Sequence, residues 1–138
     1  MAITEYGTKE LAKIPVSKMQ DVLLARMIAR EEAGRIGFAA QTLTQIATIV
    51  SELTRNVVQH AGAAGTFQAF EAVSGTRTGL LIVVEDGGSG IADINRVLEG
   101  TAPGAGIPGC RKLADDFTIR STSNVGTCVR ALKWATAG

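Results

Sequence analysis

Glu52, Asn56 and His60 recur at intervals of four within Ser51-Glu52-Leu53-Thr54-Arg55-Asn56-Val57-Val58-Gln59-His60-Ala61. On a helix, side chains four apart stand one above another. The spacing therefore aligns a carboxylate, an amide and an imidazole beside the Leu53/Val57 apolar stripe. The neutral amide oxygen of Asn56 suits Mg²⁺, which keeps several waters and takes phosphate oxygens as further ligands. Glu52, one turn away, can accept a proton or orient a nucleophile. A solvated polar face is the alternative reading of the line, and for His60 a surface histidine is the plainer one.

A second candidate is Glu85-Asp86-Gly87-Gly88-Ser89-Gly90-Ile91, which follows the most apolar run of the chain. An ionised Asp86 only accepts hydrogen bonds, so it favours a donor such as the exocyclic amine of adenine. Guanine presents an oxygen there, and a buried acceptor left unpaired is costly. Gly88 and Gly90 would let the backbone lie close against a base. An Asx-capped turn explains the segment equally well. The third candidate, Gly104-Ala105-Gly106-Ile107-Pro108-Gly109, has the literal G-x-G-x-x-G form. A dinucleotide fingerprint must follow a strand and have an acid about 20 residues later. Neither condition holds, and there is no P-loop string. The glycines still lead into a helix N-terminus, where free N–H groups and the helix dipole favour an anion.

These residues need elements to position them. Thr8–Val16 reads as an edge strand entering a turn at Pro15. Ser17 as N-cap with Gln20 three residues on has the capping-box form. It predicts a first helix over about 18–35, with Val22, Ala25, Ala29, Ala33 and Ile36 inward and Gly37 as its stop. The 3.6-residue period of Leu43, Ile46, Ala47, Val50, Leu53, Val57 and Ala61 predicts a second helix over about 41–60. Strands are expected at 66–73 and 79–85, the latter apolar throughout like a central strand buried on both faces. A short helix over 92–99, a glycine-rich loop over 100–106, a helix over 108–115 and a hairpin of 117–122 with 127–134 complete the chain. Short turns between strands and helices in groups imply a two-layer α/β sandwich of α+β class. Its sheet is mixed but mostly antiparallel, with helices on one face.

The chain has 138 residues, the length of one domain, 1–138. It is 46% hydrophobic and 20% charged, as in a folded globular protein, with net charge +1. That balance argues against general nucleic-acid binding. No apolar run approaches the ~20 residues that span a bilayer, and no leader pattern opens the chain. Cys110 and Cys128, with one histidine, exclude a four-ligand zinc site. The expectation is a cytoplasmic protein with reduced thiols.

Taken in order, the Ser51–Ala61 string, Asp86-x-Gly88-x-Gly90, Gly104-x-Gly106-Ile107-Pro108-Gly109 and Gly126-Thr127 resemble the asparagine box and the three glycine boxes of the GHKL (Bergerat) ATP-binding fold. The resemblance covers nearly all of Gln41–Trp134. The short form is similar to the anti-sigma-factor serine/threonine kinases. Ser-Glu-Leu-x-Arg-Asn-x-Val, Gly-x-Gly-Ile-Pro-Gly-Cys-Arg-Lys-Leu and the terminal Lys-Trp look most like the switch kinases of stressosome pathways.

The resemblance implies ATP and Mg²⁺ as cofactors, with Asn56 on the metal and Glu52 as catalytic base toward a protein hydroxyl. It implies that Asp86 holds the adenine amine, that Gly88 and Gly90 shape that pocket, that Gly104 and Gly106 contact phosphates and that Thr127 closes the base side. It further implies a partner-switching kinase that phosphorylates a STAS-domain antagonist and, once released, activates a metal-dependent serine phosphatase. A sigma factor is the lesser candidate partner; nucleic acid and membrane are not expected. One departure is the short stretch 91–103, poor in glycine, with Ala105 where a bulkier apolar residue is usual. It leads us to expect weak ATP binding without a partner and a partly disordered or open 91–106 segment. The alternative from another class is a nucleotide-dependent binding module without catalysis. The presence of Glu52 favours the kinase.

Overall fold

The computed structural model describes residues 6–61, 63–88, 106–122 and 124–135. Gly90, Gly104, the expected 92–99 helix and all of the 91–106 segment except Gly106 lie outside them.

β1 (Gly7–Val16) leads into α1 (Met19–Ile36). Its cap differs from the expected Ser17/Gln20 pair. The N-cap is Lys18, and Asp21 reaches back, its Oδ2 accepting from the Lys18 N–H (3.1 Å) and the Ser17 N–H (2.9 Å). A carboxylate is the stronger acceptor for orphan N–H groups at a positive helix end, so Asp21 displaces Gln20 from that role. These bonds, led by the Ser17 N–H, hold the Asp21 carboxyl below the usual carboxylate range. Val22, Ala25, Ala29 and Ala33 are fully buried, while Ile36 is half-buried. Gly37, at φ +105°, ends the helix as expected.

α2 (Ala40–Asn56) buries Ile46, Ile49, Val50, Leu53 and Thr54. It ends four residues short of the expected boundary. At Val57 the chain widens into a π turn, Val57–Ala61, which contains His60. The apolar period continues through Val57 and Ala61, so periodicity alone does not reveal this change of winding.

β2 (Gly65–Ser74), β3 (Arg77–Asp86), α3 (Gly106–Leu113), β4 (Asp116–Thr122) and β5 (Gly126–Trp134) follow. The sheet order is β1-β2-β3-β5-β4. All four pairings among the described residues are antiparallel, in keeping with the mostly antiparallel sheet expected. β5 inserts between β3 and β4, which run in the same direction, and so keeps them from pairing. β1 is an edge strand and β3 is central, as anticipated.

Alternation along the strands splits the apolar residues between two faces. Phe67, Ala69, Leu80, Ile82, Val84, Val129 and Ala131 face the helices and form the main core with Val50, Leu53, Ile107 and Cys110. The opposite face carries a smaller cluster of Ala72, Leu81, Val83 and Leu132, flanked by Tyr6, Phe70 and Trp134. Arg77 stacks over the Trp134 ring at 4.2 Å. No helix among the described residues is long and apolar enough to cross a membrane.

Candidate functional site

One cross-strand row organises the open end of the sheet. Val16 pairs with Gly65, Gly65 with Asp86, Asp86 with Thr127, and Thr127 with Ser121. Asp86 lies on the face of Val84 and Ile82, and Thr127 on that of Val129 and Ala131. Both therefore stand beneath the helical layer. The two predicted residues are neighbours because β5 returns beside β3, a juxtaposition that the 40 positions between them conceal.

Local bonds orient both side chains. Asp86 Oδ1 accepts from the Gly88 N–H at 2.9 Å, an Asx turn that leaves Oδ2 outside that bond. The Thr127 and Ser121 hydroxyls lie 2.9 Å apart. Gly88 is buried, as a backbone close to a pocket wall would be.

Two glycines close the row, Gly126 of the last glycine box and Gly65 at the start of β2. A Cβ on Gly65 would strike the Glu85 carbonyl oxygen and Val57 Cγ1. Hydrogen in that place lets the Val57 end of α2 settle over the Asp86 end of β3. Gly126 is at φ +138°, and a Cβ there would strike the Asp86 carbonyl oxygen.

Glu52 and Asn56 project from the last turns of α2. The Glu52 carboxylate is divided between two neighbours. Oε2 accepts from Arg55 Nη1 at 2.7 Å, and Oε1 lies against Gly106, where an added Cβ would collide with it. Gly106 is the first residue of α3, so the predicted base and a predicted phosphate-loop glycine are in contact. Ile107 and Cys110 anchor α3 in the core. Burial, with the Glu52 carboxylate adding to it, pushes the Cys110 thiol up to about 12.

The Asn56 amide nitrogen is buried without a hydrogen-bond partner among the described residues. A donor in that state ordinarily costs about 1–3 kcal/mol. Such an unsatisfied group fits a side chain kept for a ligand. The amide also supplies the hard oxygen that Mg²⁺ prefers, so the residues present fit that ion. Among the described residues there is no cluster of three or more histidine, cysteine or carboxylate side chains that could hold a metal alone. A cation here would depend on ligand oxygens.

Arg55 and Ser51 were not singled out from the sequence. The i,i+3 spacing of Glu52 and Arg55 was a usable signal for their ion pair. Nothing local announces Ser51, whose hydroxyl is buried without a partner among the described residues.

A family model described as a histidine kinase-like ATPase domain matches residues 16–133. The serine/threonine-protein kinase RsbT of Bacillus subtilis (strain 168) is 36% identical over 119 residues, which cover 83% of this chain and 89% of that protein.

Proposed function

This chain belongs to the histidine kinase-like ATPase family, and on that premise we propose that it is a partner-switching serine/threonine kinase acting on a protein hydroxyl. The observation that carries the reading is the meeting of three parts. The Glu52/Asn56 end of α2 sits over the Asp86–Thr127 row, and the N-terminus of α3 sits against Glu52.

In this reading Asp86 accepts the adenine amine and Thr127 borders the base. Gly88 and Gly90 let the backbone approach it, and Gly104 and Gly106 lie along the phosphates. Asn56 would hold Mg²⁺, which neutralises phosphate charge when bound. Glu52 takes the proton from the attacking hydroxyl. Its contacts with Arg55 and Gly106 fix the direction of the carboxylate, so little reorientation is needed before transfer. Phosphoryl transfer depends mainly on positioning and charge stabilisation, the roles that this reading gives to Glu52 and Asn56.

The relationship to a switch kinase supports a STAS-domain antagonist as acceptor and a metal-dependent serine phosphatase as the second partner. It also supports a place inside the cell. The test is transfer of labelled phosphate from Mg·ATP to purified STAS-domain proteins encoded beside this gene. Labelling at a serine or threonine, lost in Glu52→Gln with ATP binding kept, supports the kinase. Binding of the same proteins without labelling would make the chain a nucleotide-dependent binding module.

A further inference from the structure

The packing of α1 on α2 leaves an open groove of about 500 Å³ lined by Arg26, Arg30, Thr44, Thr48, Ser51 and Arg55, and it runs to Glu52. Glu52 is the one carboxylate of the lining, and Arg55 already pairs with it at 2.7 Å. Arg26 and Arg30 are exposed and have no ion-pair partner among the described residues. The groove therefore presents uncompensated positive charge although the chain as a whole is nearly neutral.

Its hydroxyls are not equivalent. Thr48 donates to the Thr44 carbonyl at 3.1 Å and Thr44 to that of Ala40 at 3.4 Å. The Ser51 hydroxyl is 94% buried by residue and makes no hydrogen bond among the described residues. It is a donor held in reserve on the wall of the groove, next to Glu52. Two arginines and an unspent O–H form a set of donors that suits a carboxylate or phosphate, and the carboxylate of the lining, Glu52, is already paired with Arg55.

Geometry limits what can lie there. From Thr44 to Arg55 the α2 wall is about 16 Å long at 1.5 Å per residue. An extended peptide of about five residues spans that length. The tight connection from α1 to α2 makes them antiparallel, so Arg26 stands near the Ser51 level and Arg30 about one turn farther from Glu52. Met19, Leu23 and Met27 continue the same side of α1 as an exposed apolar stripe. That stripe is a suitable rest for the body of a protein whose segment enters the groove.

We propose that the α1–α2 groove selects the acceptor, binding a protein segment with one or more acidic residues within about four positions of the hydroxyl presented to Glu52. Arg26 and Arg30 are then specificity-determining residues, and Ser51 donates to the same segment. The proposal rests on the kinase reading for the role of the hydroxyl, but the binding it describes is measurable without transfer.

The test is an NMR titration of ¹⁵N-labelled protein, with and without Mg·ATP. Three nine-residue peptides are used, each with a central serine flanked by Asp/Glu, by Gly/Ser or by Lys/Arg. The acidic peptide should bind at least about tenfold tighter than the others and shift the amides of Thr44, Thr48 and Ser51. Arg26→Gln/Arg30→Gln should abolish the preference, and Arg26→Glu/Arg30→Glu should reverse it toward the basic peptide. ATP affinity should stay within about twofold in both. Equal binding of the three peptides, no binding of the acidic one, shifts confined to other surfaces, or a preference unchanged by the reversal would each overturn the proposal. So would self-association of the protein that the arginine reversal removes, because the groove would then hold a second copy. Failure of ATP to bind, with the peptide preference intact, would overturn the kinase reading and leave the groove assignment standing.

Discussion

Glu52 Oε1 lies against the backbone of Gly106, so close that no Cβ fits between them. This contact joins α2 to the start of α3 and couples the candidate base to the candidate phosphate loop. Gly106→Ala should therefore disturb both. The atoms that an added methyl would meet first are the end of the flexible Glu52 side chain, so we expect the carboxylate to swing aside at a stability loss of at most about 1 kcal/mol, the low end of the cost of overpacking. Glu52→Ala in the same chain should recover most of it, because the colliding atom is gone. Urea unfolding of the two single variants and the double variant gives the coupling. Additive losses would mean that the contact is not the cause.

Glu52→Gln keeps the shape of the side chain and a carbonyl oxygen for Arg55, but it removes the proton acceptor. Transfer to a protein hydroxyl should fall by about 10²–10⁴-fold, and calorimetric ATP affinity should change little. An unchanged rate would remove Glu52 from the base role.

Asp86→Asn retains an oxygen for the Gly88 N–H, so the Asx turn at 2.9 Å should survive. The charged acceptor for the adenine amine is lost. ATP binding should weaken by about 1–3 kcal/mol, and the margin between ATP and GTP should narrow. Equal affinities for ATP and GTP in the parent protein would exclude Asp86 as the base reader.

Gly126→Ala combines an unfavourable φ of +138° with a collision at the Asp86 carbonyl oxygen. Backbone strain of this kind costs about 1–3 kcal/mol. The displaced oxygen belongs to Asp86, the proposed reader of the adenine, so ATP affinity should fall together with melting temperature. Thr127→Val removes the Ser121–Thr127 hydrogen bond and should cost about 0.5–1.5 kcal/mol of stability.

Cys110 gives a prediction in pH. Burial raises its thiol from 9.0 to about 12 in the native state. Between those values the folded protein keeps the proton that the unfolded chain releases. Stability from this group is complete below about pH 9 and is lost as pH rises toward 12, at up to about 1.4 kcal/mol per pH unit. Urea unfolding between pH 8 and 10.5 should show a shallower decline in Cys110→Ala than in the parent. Parallel curves would mean that the thiol is not protected by the fold.

Much of this arrangement was legible in the residues. The 3.6-residue period of α2 placed Glu52 and Asn56 on one helix, the unbroken apolar run of Gly79–Val84 identified the central strand, and Gly37 marked a helix end. Each is a local signal, set by which residues must leave water and which backbone angles they tolerate. The glycine boxes likewise carried the family resemblance that the comparisons bear out. The tertiary structure alone decided the rest. Asp21 rather than Gln20 caps α1, because the outcome turns on which acceptor reaches the free N–H groups. The π turn at Val57 is invisible to a pattern that both windings satisfy. Gly65 and Gly126 matter only because other backbones come within reach of an absent Cβ. The pairing of Asp86 with Thr127, and the groove where Arg26 and Arg30 meet Ser51, exist only once strands and helices distant in sequence pack together. Residue types determine what chemistry is available, but hydrogen-bond partners, close approaches and concentrated charge depend on distances that only the packed chain sets.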